Sequence, residues 1–591
     1  MISSRYMNKE FRHSLNYHEV TKHSEASLLS SRHRLDFASK PIPFKIYLEL
    51  PSKTLPENFP MPEAKALNCI SEMKSQTLRD KAKGLIAASS SKNSDASSNR
   101  HKLEISDLAE VLFFSAGITR IVKYPYGKYY MRAASATGAL YPIELYVVCD
   151  DILPDLEAGV YHFSPADFSL TQIRKGRYRK YLAAAAANNK EIANSSVAIV
   201  FTSIAWRNAW KYQARSYRHW FWDSGVIAAN LLATAHAMGV PARIVMGFLD
   251  DNLTELLCLQ DHREAAIAMA AIGSADSSTF GQYGSESERL TNVSTPTIRA
   301  LSERDETSYP EIWDVNEASK LTSKQEVEDW IFNAHHHYQQ DEQSLPTPIS
   351  PDSQTKGAEI KDHYIIQPTD LEEEFHKSRS LKETILWRGS SRNFSKTAIP
   401  LSTLKTILYS STRGVPMDIF PDGNSQIDIY FIANSVDGLT PGSYFYNRNR
   451  SAPNSNLHTS IEKIKELGSS RNISGYLCLG QTLFSNASVV FFLMTDLRSV
   501  LSSLGNRGYR TSQFEAGVIA GKIYLASYAL RIGASGSTFF DDAVTEFFSP
   551  HARNKNTMIA MGVGVPAYNA KPGKVLPARL TKEELLNQDF S

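Results

Sequence analysis

Apolar and polar positions along this chain fall into one pattern that occurs twice. In the first occurrence a β-branched apolar run at Leu145–Val148 precedes a second at Val197–Phe201, and alternation and branching predict strands for both. A helix is predicted next, because Val226, Ile227, Leu231, Ala235 and Met238 recur at helical spacing until Gly239-Val240-Pro241 stops it. In the second occurrence Ile427–Ala433 and Val489–Met494 supply the strands, and the helix runs from Gly517 towards Arg531.

The two occurrences align residue by residue. Asn194-Ser-Ser-Val-Ala-Ile-Val matches Asn486-Ala-Ser-Val-Val-Phe-Phe. Without a gap, Arg215, Tyr217, Arg218, Gly225, Val226 and Ile227 then meet Arg507, Tyr509, Arg510, Gly517, Val518 and Ile519, each 292 positions further on. Gly159-Val-Tyr-His-Phe pairs with Gly442-Ser-Tyr-Phe-Tyr, and Phe248-Leu-Asp-Asp with Phe540-Asp-Asp. So long a period is a duplicated domain, not a solenoid repeat. Strand, strand and helix in that order predict an α+β architecture: two tandem domains, each a central antiparallel or mixed sheet covered by helices. Residues 274–370 are polar, contain PTPISPDS and predict a linker in which Glu326–Ile331 could form a short helix; the serine-rich Ser89–Arg100 predicts a flexible loop. The expected division is an arm over 1–88, a first domain over 101–273, the linker, and a second domain over 371–591.

Composition narrows the classes. A chain of 591 residues with 42% hydrophobic and 21% charged residues builds more than one packed core. With 64 Lys plus Arg against 62 Asp plus Glu, a net charge of +2 makes no global demand for nucleic acid or an anionic membrane. Cys69, Cys149, Cys258 and Cys478 lie far apart with no CxxC pair, and no apolar run is long enough to cross a bilayer, so a reducing cytoplasm is expected. His219-Trp-Phe-Trp-Asp223 and His162 lack metal spacing, no metal is expected, and His335–His337 read as exposed linker.

Three short motifs carry chemistry, each with a plainer alternative. In Arg388-Gly-Ser390-Ser-Arg392, two forked guanidiniums and a hydroxyl suit a phosphate dianion, although a solvated basic turn has the same sequence. The small residues Ser135, Ala136, Thr137 and Gly138 let backbone amides approach a flat ring, or form an ordinary strand-entry turn. Lys211 and Tyr212 offer a base and a phenol, or an exposed lysine beside a packed ring.

Taken in order, Arg132-Ala-Ala-Ser-Ala-Thr-Gly-Ala-Leu-Tyr-Pro-Ile-Glu-Leu-Tyr146, Gly159 to Phe163, Lys211-Tyr-Gln-Ala-Arg-Ser-Tyr-Arg218 and Asp223-Ser-Gly225 resemble the SagB-type azoline dehydrogenases. These are the flavin-dependent thiazole/oxazole oxidases of the nitroreductase superfamily. The resemblance covers most of 104–273 and, more weakly, 381–565. It implies an intramolecular pseudo-dimer with FMN between the halves. One complete site is implied, with Arg388, Ser390 and Arg392 gripping the phosphate from the second copy and Ser135, Ala136, Thr137 and Gly138 reaching over from the first; the pseudo-symmetric site would be vestigial. Glu515, Ala516 and Gly517, expected at a helix start, would add backbone N–H groups towards the flavin; Lys571 and Lys574 could add phosphate contacts, although a solvated tail is the plainer reading of them. Lys211 and Tyr212 are implied as the catalytic pair, the lysine in a partly desolvated cleft; Ser503 and Leu504 replace them in the second copy, and Gln213 stands where the family has glycine. The implied activity is FMN-dependent dehydrogenation of a peptide- or carrier-borne substrate, azoline to azole, alongside partner enzymes of natural-product biosynthesis. Two alternatives stay open: an NAD(P)H-dependent nitro- or quinone-type reductase, and a flavin-free scaffold for a peptide-modifying complex. The stretch Tyr17–His23 also resembles the leader of tandem members of this family.

Overall fold

A computed structural model describes residues 4–71, 103–124, 127–151, 155–274, 290, 295–344, 363–420, 424–448, 459–577 and 579–587. The serine-rich stretch 89–100 and the PTPISPDS segment lie outside the described residues.

Sixteen strands are described: β1 Ser52–Thr54, β2 Ile118–Tyr124, β3 Gly127–Arg132, β4 Ile143–Cys149, β5 Gly159–Ser164, β6 Ser169–Lys175, β7 Val197–Ile204, β8 Ala242–Val245, β9 Glu264–Ile272, β10 His363–Ile366, β11 Asp428–Ala433, β12 Gly442–Asn447, β13 Thr459–Glu466, β14 Val489–Thr495, β15 Gly533–Ser537 and β16 Asn556–Gly564. Fourteen of them form two seven-stranded sheets, β1-β6-β5-β4-β7-β9-β8 and β10-β13-β12-β11-β14-β16-β15, which are the same order written twice, and β2 and β3 form a separate hairpin. Every ladder within them is antiparallel, which resolves the expected antiparallel or mixed sheet. Leu145 faces Phe201 in one sheet and Ile429 faces Leu493 in the other. Val197–Ile204 and Val489–Thr495 are buried at every position, because helices cover both faces of the central strands.

The halves meet along two long helices, Ser216–Ala237 and Arg507–Ala529. Their backbones approach so closely that a Cβ on Gly225 would stand 2.5 Å from the Phe514 carbonyl, and one on Gly517 2.6 Å from the Trp222 carbonyl. That approach accounts for glycine at both duplicated positions.

Around this crossing, ion pairs are exchanged reciprocally. Arg215 and Arg218 of the first half reach Asp541 of the second at 3.0 and 2.7 Å, while Arg507 and Arg510 reach Asp250, each at 2.6 Å. All six side chains are buried. Burial alone would raise the two carboxyls, and the paired guanidiniums instead hold both below the ordinary carboxylate range. Tyr217 and Tyr509 stack between the two clusters, their centroids 6.5 Å apart and their planes 7° apart. The retained Arg, Tyr and Arg of each copy therefore join the halves.

The duplication extends further than the sequence pattern indicates. Helix Arg12–Val20 and helix Pro310–Ala318 occupy matching places. The His18 carbonyl and Thr21 hydroxyl each accept from Arg218 at 2.9 Å; the Asn316 carbonyl and Ser319 hydroxyl accept from Arg510 at 2.8 and 2.7 Å. The His23 amide donates to Asp541 and the Leu321 amide to Asp250. Much of 274–370 is thus the second copy's own leading element. It includes the long helix Lys324–Ser344 and β10, and Trp313, Val327 and Trp330 are buried in it.

Candidate active site

The residues that carry chemistry gather where the first half's loop into β4 meets the second half. Lys211 and Tyr212 end the helix Ala205–Tyr212, and Gln213 caps it with φ 50° and ψ −144°. Its duplicate Gly505 stands at φ 63°, so the glycine usual here serves a left-handed backbone that Gln213 adopts at a cost. Lys211 is exposed, its ammonium 5.4 Å from the Tyr212 ring centroid, which corrects the expectation of a partly desolvated lysine. Tyr212 is only partly exposed; burial, aided by the Asp223 charge, raises its hydroxyl to about 12. That hydroxyl lies against Gly138, where an added Cβ would stand 2.6 Å from it, and Gly138 itself has φ 65°. Both the crowding and the backbone require glycine there.

The second half reaches this loop directly. Buried Arg388 follows the helix Leu381–Trp387 and donates from Nε to the Ala133 carbonyl and from Nη2 to the Arg132 carbonyl, each at 2.7 Å. The implied phosphate grip and the Ser135–Gly138 loop are therefore neighbours across the interface. Ser390 Oγ lies 3.2 Å from the Tyr524 hydroxyl, which accepts from the Gly536 amide at 2.8 Å. Arg392 is exposed.

Glu515, Ala516 and Gly517 are not at a helix start. Their helix begins at Arg507, so their amides belong to its interior, and all three side chains are buried at the crossing. Sequence periodicity set the start too late because Arg507, Tyr509 and Arg510 are polar residues buried in ion pairs and stacking.

Two residues beside the loop into β4 were given no role by the sequence, although Asp223 lies in one of the motifs that carry the resemblance. Arg120, on β2, donates to the Lys571 carbonyl at 2.6 Å, and its Nε is buried with no hydrogen-bond partner. Burial and then the Arg388 charge lower its pKa, and the other groups acting on it are Tyr528, Tyr568 and Tyr141, none of them a carboxylate. Two neighbouring guanidiniums with no acid between them favour an anion. Lys571 and Lys574 are exposed; the tail carrying them crosses to the first half, where the Lys574 amide bonds the Thr119 carbonyl. The other residue is Asp223, buried in the helix Ser216–Ala237, which accepts from the Thr137 amide and hydroxyl.

Residues 103–274 match the Nitroreductase family model. The first half is a nitroreductase-family domain. Over 160 residues the chain is 26% identical to the nitroreductase-like MJ1384 of Methanocaldococcus jannaschii, 27% of this chain and 77% of that one. It is also 27% identical to the trifolitoxin-processing protein TfxB of Rhizobium leguminosarum bv. trifolii and 23% identical to the microcin B17-processing protein McbC of Escherichia coli. Those matches span 28% and 30% of this chain and 46% and 64% of the relatives' own lengths. A crystal structure of a nitroreductase-like protein from Anabaena variabilis shares the fold over 94% of this chain and 99% of that one, with TM-score 0.63 at 22% identity.

The region related to this site by the duplication joins the second half's loop to the nitroreductase-family half, and its contents differ. Asp418 accepts from the amides of Met246 and Gly247 at 3.0 and 2.9 Å. Trp330 of the helix Lys324–Ser344 donates to the Leu504 carbonyl at 2.9 Å, and His335 lies 2.8 Å from the Asp418 carbonyl. Ile331 packs on Gly247, where a Cβ would stand 3.0 Å from it. His337 contacts Ser503 in the duplicate of the Lys211 helix, so of the histidine run read as exposed linker His335 and His337 make contacts and His336 is exposed. Among the described residues no cluster of His, Cys, Asp and Glu is arranged to hold a metal ion, and no helix is long and apolar enough to cross a membrane.

Proposed function

We propose that this chain is an FMN-dependent oxidoreductase with one coenzyme site, built from the second half's Arg388, Ser390 and Arg392 and the first half's Ser135–Gly138 loop. The observation that carries the reading is the pair of Arg388 bonds to the Arg132 and Ala133 carbonyls, which brings grip and loop together. The residues fit the group: Arg120 and Arg388 are neighbours without a carboxylate between them, Arg120 Nε is buried with no partner, and the Ser390 hydroxyl follows Arg388 in the same loop. When bound, FMN supplies a two-electron acceptor or donor.

In this reading Arg120, Arg388 and Arg392 bind the phosphate, with Ser390 as a further donor. Lys211, exposed at the helix end, takes a proton from the substrate carbon. Tyr212 keeps its proton at neutral pH, because burial raises its hydroxyl, and orients the substrate as a hydrogen-bond donor. A cleft of about 690 Å³ opens along the same helix, lined by Asp36, Trp206, Trp210, Arg304 and Tyr309 among others, and supports an extended peptide-borne or carrier-borne substrate. The likeness to TfxB and McbC supports azoline-to-azole dehydrogenation beside partner enzymes of peptide modification. The likeness to the nitroreductase-like MJ1384 favours a second reading, reduction of nitro or quinone compounds by NAD(P)H.

The purified chain is expected to be yellow, with one FMN per polypeptide; two flavins, or none after reconstitution, would refute the single-site reading. Oxidation of an azoline-containing peptide without nicotinamide supports the dehydrogenase. Bleaching of the flavin by NAD(P)H with no azoline turnover supports the reductase instead.

A further inference from the structure

Each long helix carries one buried acid at the same duplicated place, Asp223 in the first and Glu515 in the second. Both turn to the loop entering the central strand of their own half. Asp223 accepts from the Thr137 amide through both oxygens, at 2.9 and 3.0 Å, and from the Thr137 hydroxyl at 2.8 Å. Glu515 accepts from the Gln426 amide at 2.9 Å. Among the described residues only the first of these loops runs on into a left-handed glycine pressed on a tyrosine hydroxyl, Gly138 on Tyr212; in the second half Leu504 takes the tyrosine's place.

We propose that Asp223 is a positioning residue which, by holding Thr137, sets Gly138 against Tyr212 and fixes the loop on which the coenzyme lies. The coenzyme part of this rests on the flavin reading above; the anchoring part does not. The titratable groups facing Asp223 are Tyr212 from the end of the helix Ala205–Tyr212 and, across a small cavity that it shares with Ser135 and Ala136, Arg132 and Tyr141. Burial raises the carboxyl to about 7, opposed by the bonds from Thr137. The charged form accepts all three bonds, so the loop is held best above that pH and slackens below it. For the fold as a whole the sign is opposite: a carboxyl raised above its unfolded value adds stability at low pH and loses that contribution as pH rises through about 7.

The test combines amide hydrogen exchange and FMN titration on the full-length chain and its Asp223→Ala, Asp223→Asn and Glu515→Gln variants. In Asp223→Ala the amides of 135–139 are expected to exchange about tenfold faster and FMN to bind about tenfold more weakly, the scale of lost bonds to a charged group. Glu515→Gln should loosen only 424–427 and leave FMN affinity unchanged. Wild-type affinity should fall between about pH 8 and 6, beyond the change seen in Asp223→Asn, which lacks the titrating group. Unaltered exchange at 135–139 in Asp223→Ala overturns the anchor, and a loosened loop with unaltered FMN affinity overturns its positioning role. If the loop loosens but no variant, nor the wild type, binds FMN, the anchor stands and the flavin reading falls. Should Asp223→Ala fail to fold, the pH profile of Asp223→Asn decides.

Discussion

The two interface regions related by the duplication began from the same scaffold and hold different contents. Near Arg388, basic and small residues from both halves converge, and Arg120 Nε is left without a hydrogen-bond partner. In the duplicate region the amides of Met246 and Gly247 are taken by Asp418, and Trp330, Ile331 and His335 pack over the loop. The scaffold itself did not diverge: Asp250 and Asp541, with their four arginines, are bonded alike on both sides. Contacts that hold the halves together are the same in both copies, whereas the loops entering the central strands differ.

The sharpest break of this comparison is catalytic. Lys211→Ala should lower turnover about 10²–10⁴-fold, the usual contribution of a general base, while Ser503→Ala, its duplicate, leaves turnover unchanged. Steady-state kinetics on flavin-loaded protein check both, and equal effects would erase the difference between the regions.

Next in size, the scaffold should respond symmetrically. Asp541→Ala and Asp250→Ala each strand two buried guanidiniums and should each cost about 3–5 kcal/mol in denaturant unfolding. Both carboxyls are depressed in the fold, so their contribution is present above the unfolded carboxylate pKa of about 4 and is lost as pH falls through the lower folded values. Acid unfolding of the wild type should therefore be steeper than that of either variant.

Arg388→Ala should weaken FMN binding about 10–100-fold, the range for a hydrogen bond to a charged group, whereas Asp418→Ala should not add a second flavin. Equilibrium titration and flavin stoichiometry measure both; a second bound FMN in Asp418→Ala would mean that the duplicate region is blocked by that carboxylate alone.

The smallest effect is conformational. Gln213→Gly should stabilise the chain by about 1 kcal/mol, since its backbone already has the φ that Gly505 adopts in the other half. Thermal unfolding against a Gly505→Ala variant, which should lose stability, gives the sign.

Much of this was legible in the chain alone. The repeat at offset 292 revealed two α+β domains, because strand and helix periodicities depend on local burial and survive divergence. The motifs singled out Lys211, Tyr212, Ser135–Gly138 and Arg388, and the glycine missing at Gln213 marked a special backbone. The helix over Pro310–Ala318 and the length of Lys324–Ser344 were not legible: Ile312, Trp313, Val327 and Trp330 have helical spacing, but charged neighbours and adjoining polar sequence hide it. Nor could sequence place Glu515 in mid-helix, since the polar turns before it are buried only by their partners in the other half.

Sequence by itself determined the duplication and the element types. Tertiary structure alone decided that Arg120 lies near Arg388, that Asp223 holds Thr137, and that Asp418 occupies the duplicate region. The reason is physical: periodicity is set by each residue's near neighbours, whereas Arg388 meets Ala133, and Asp418 meets Gly247, only once two separately folded sheets have been pressed together along their long helices.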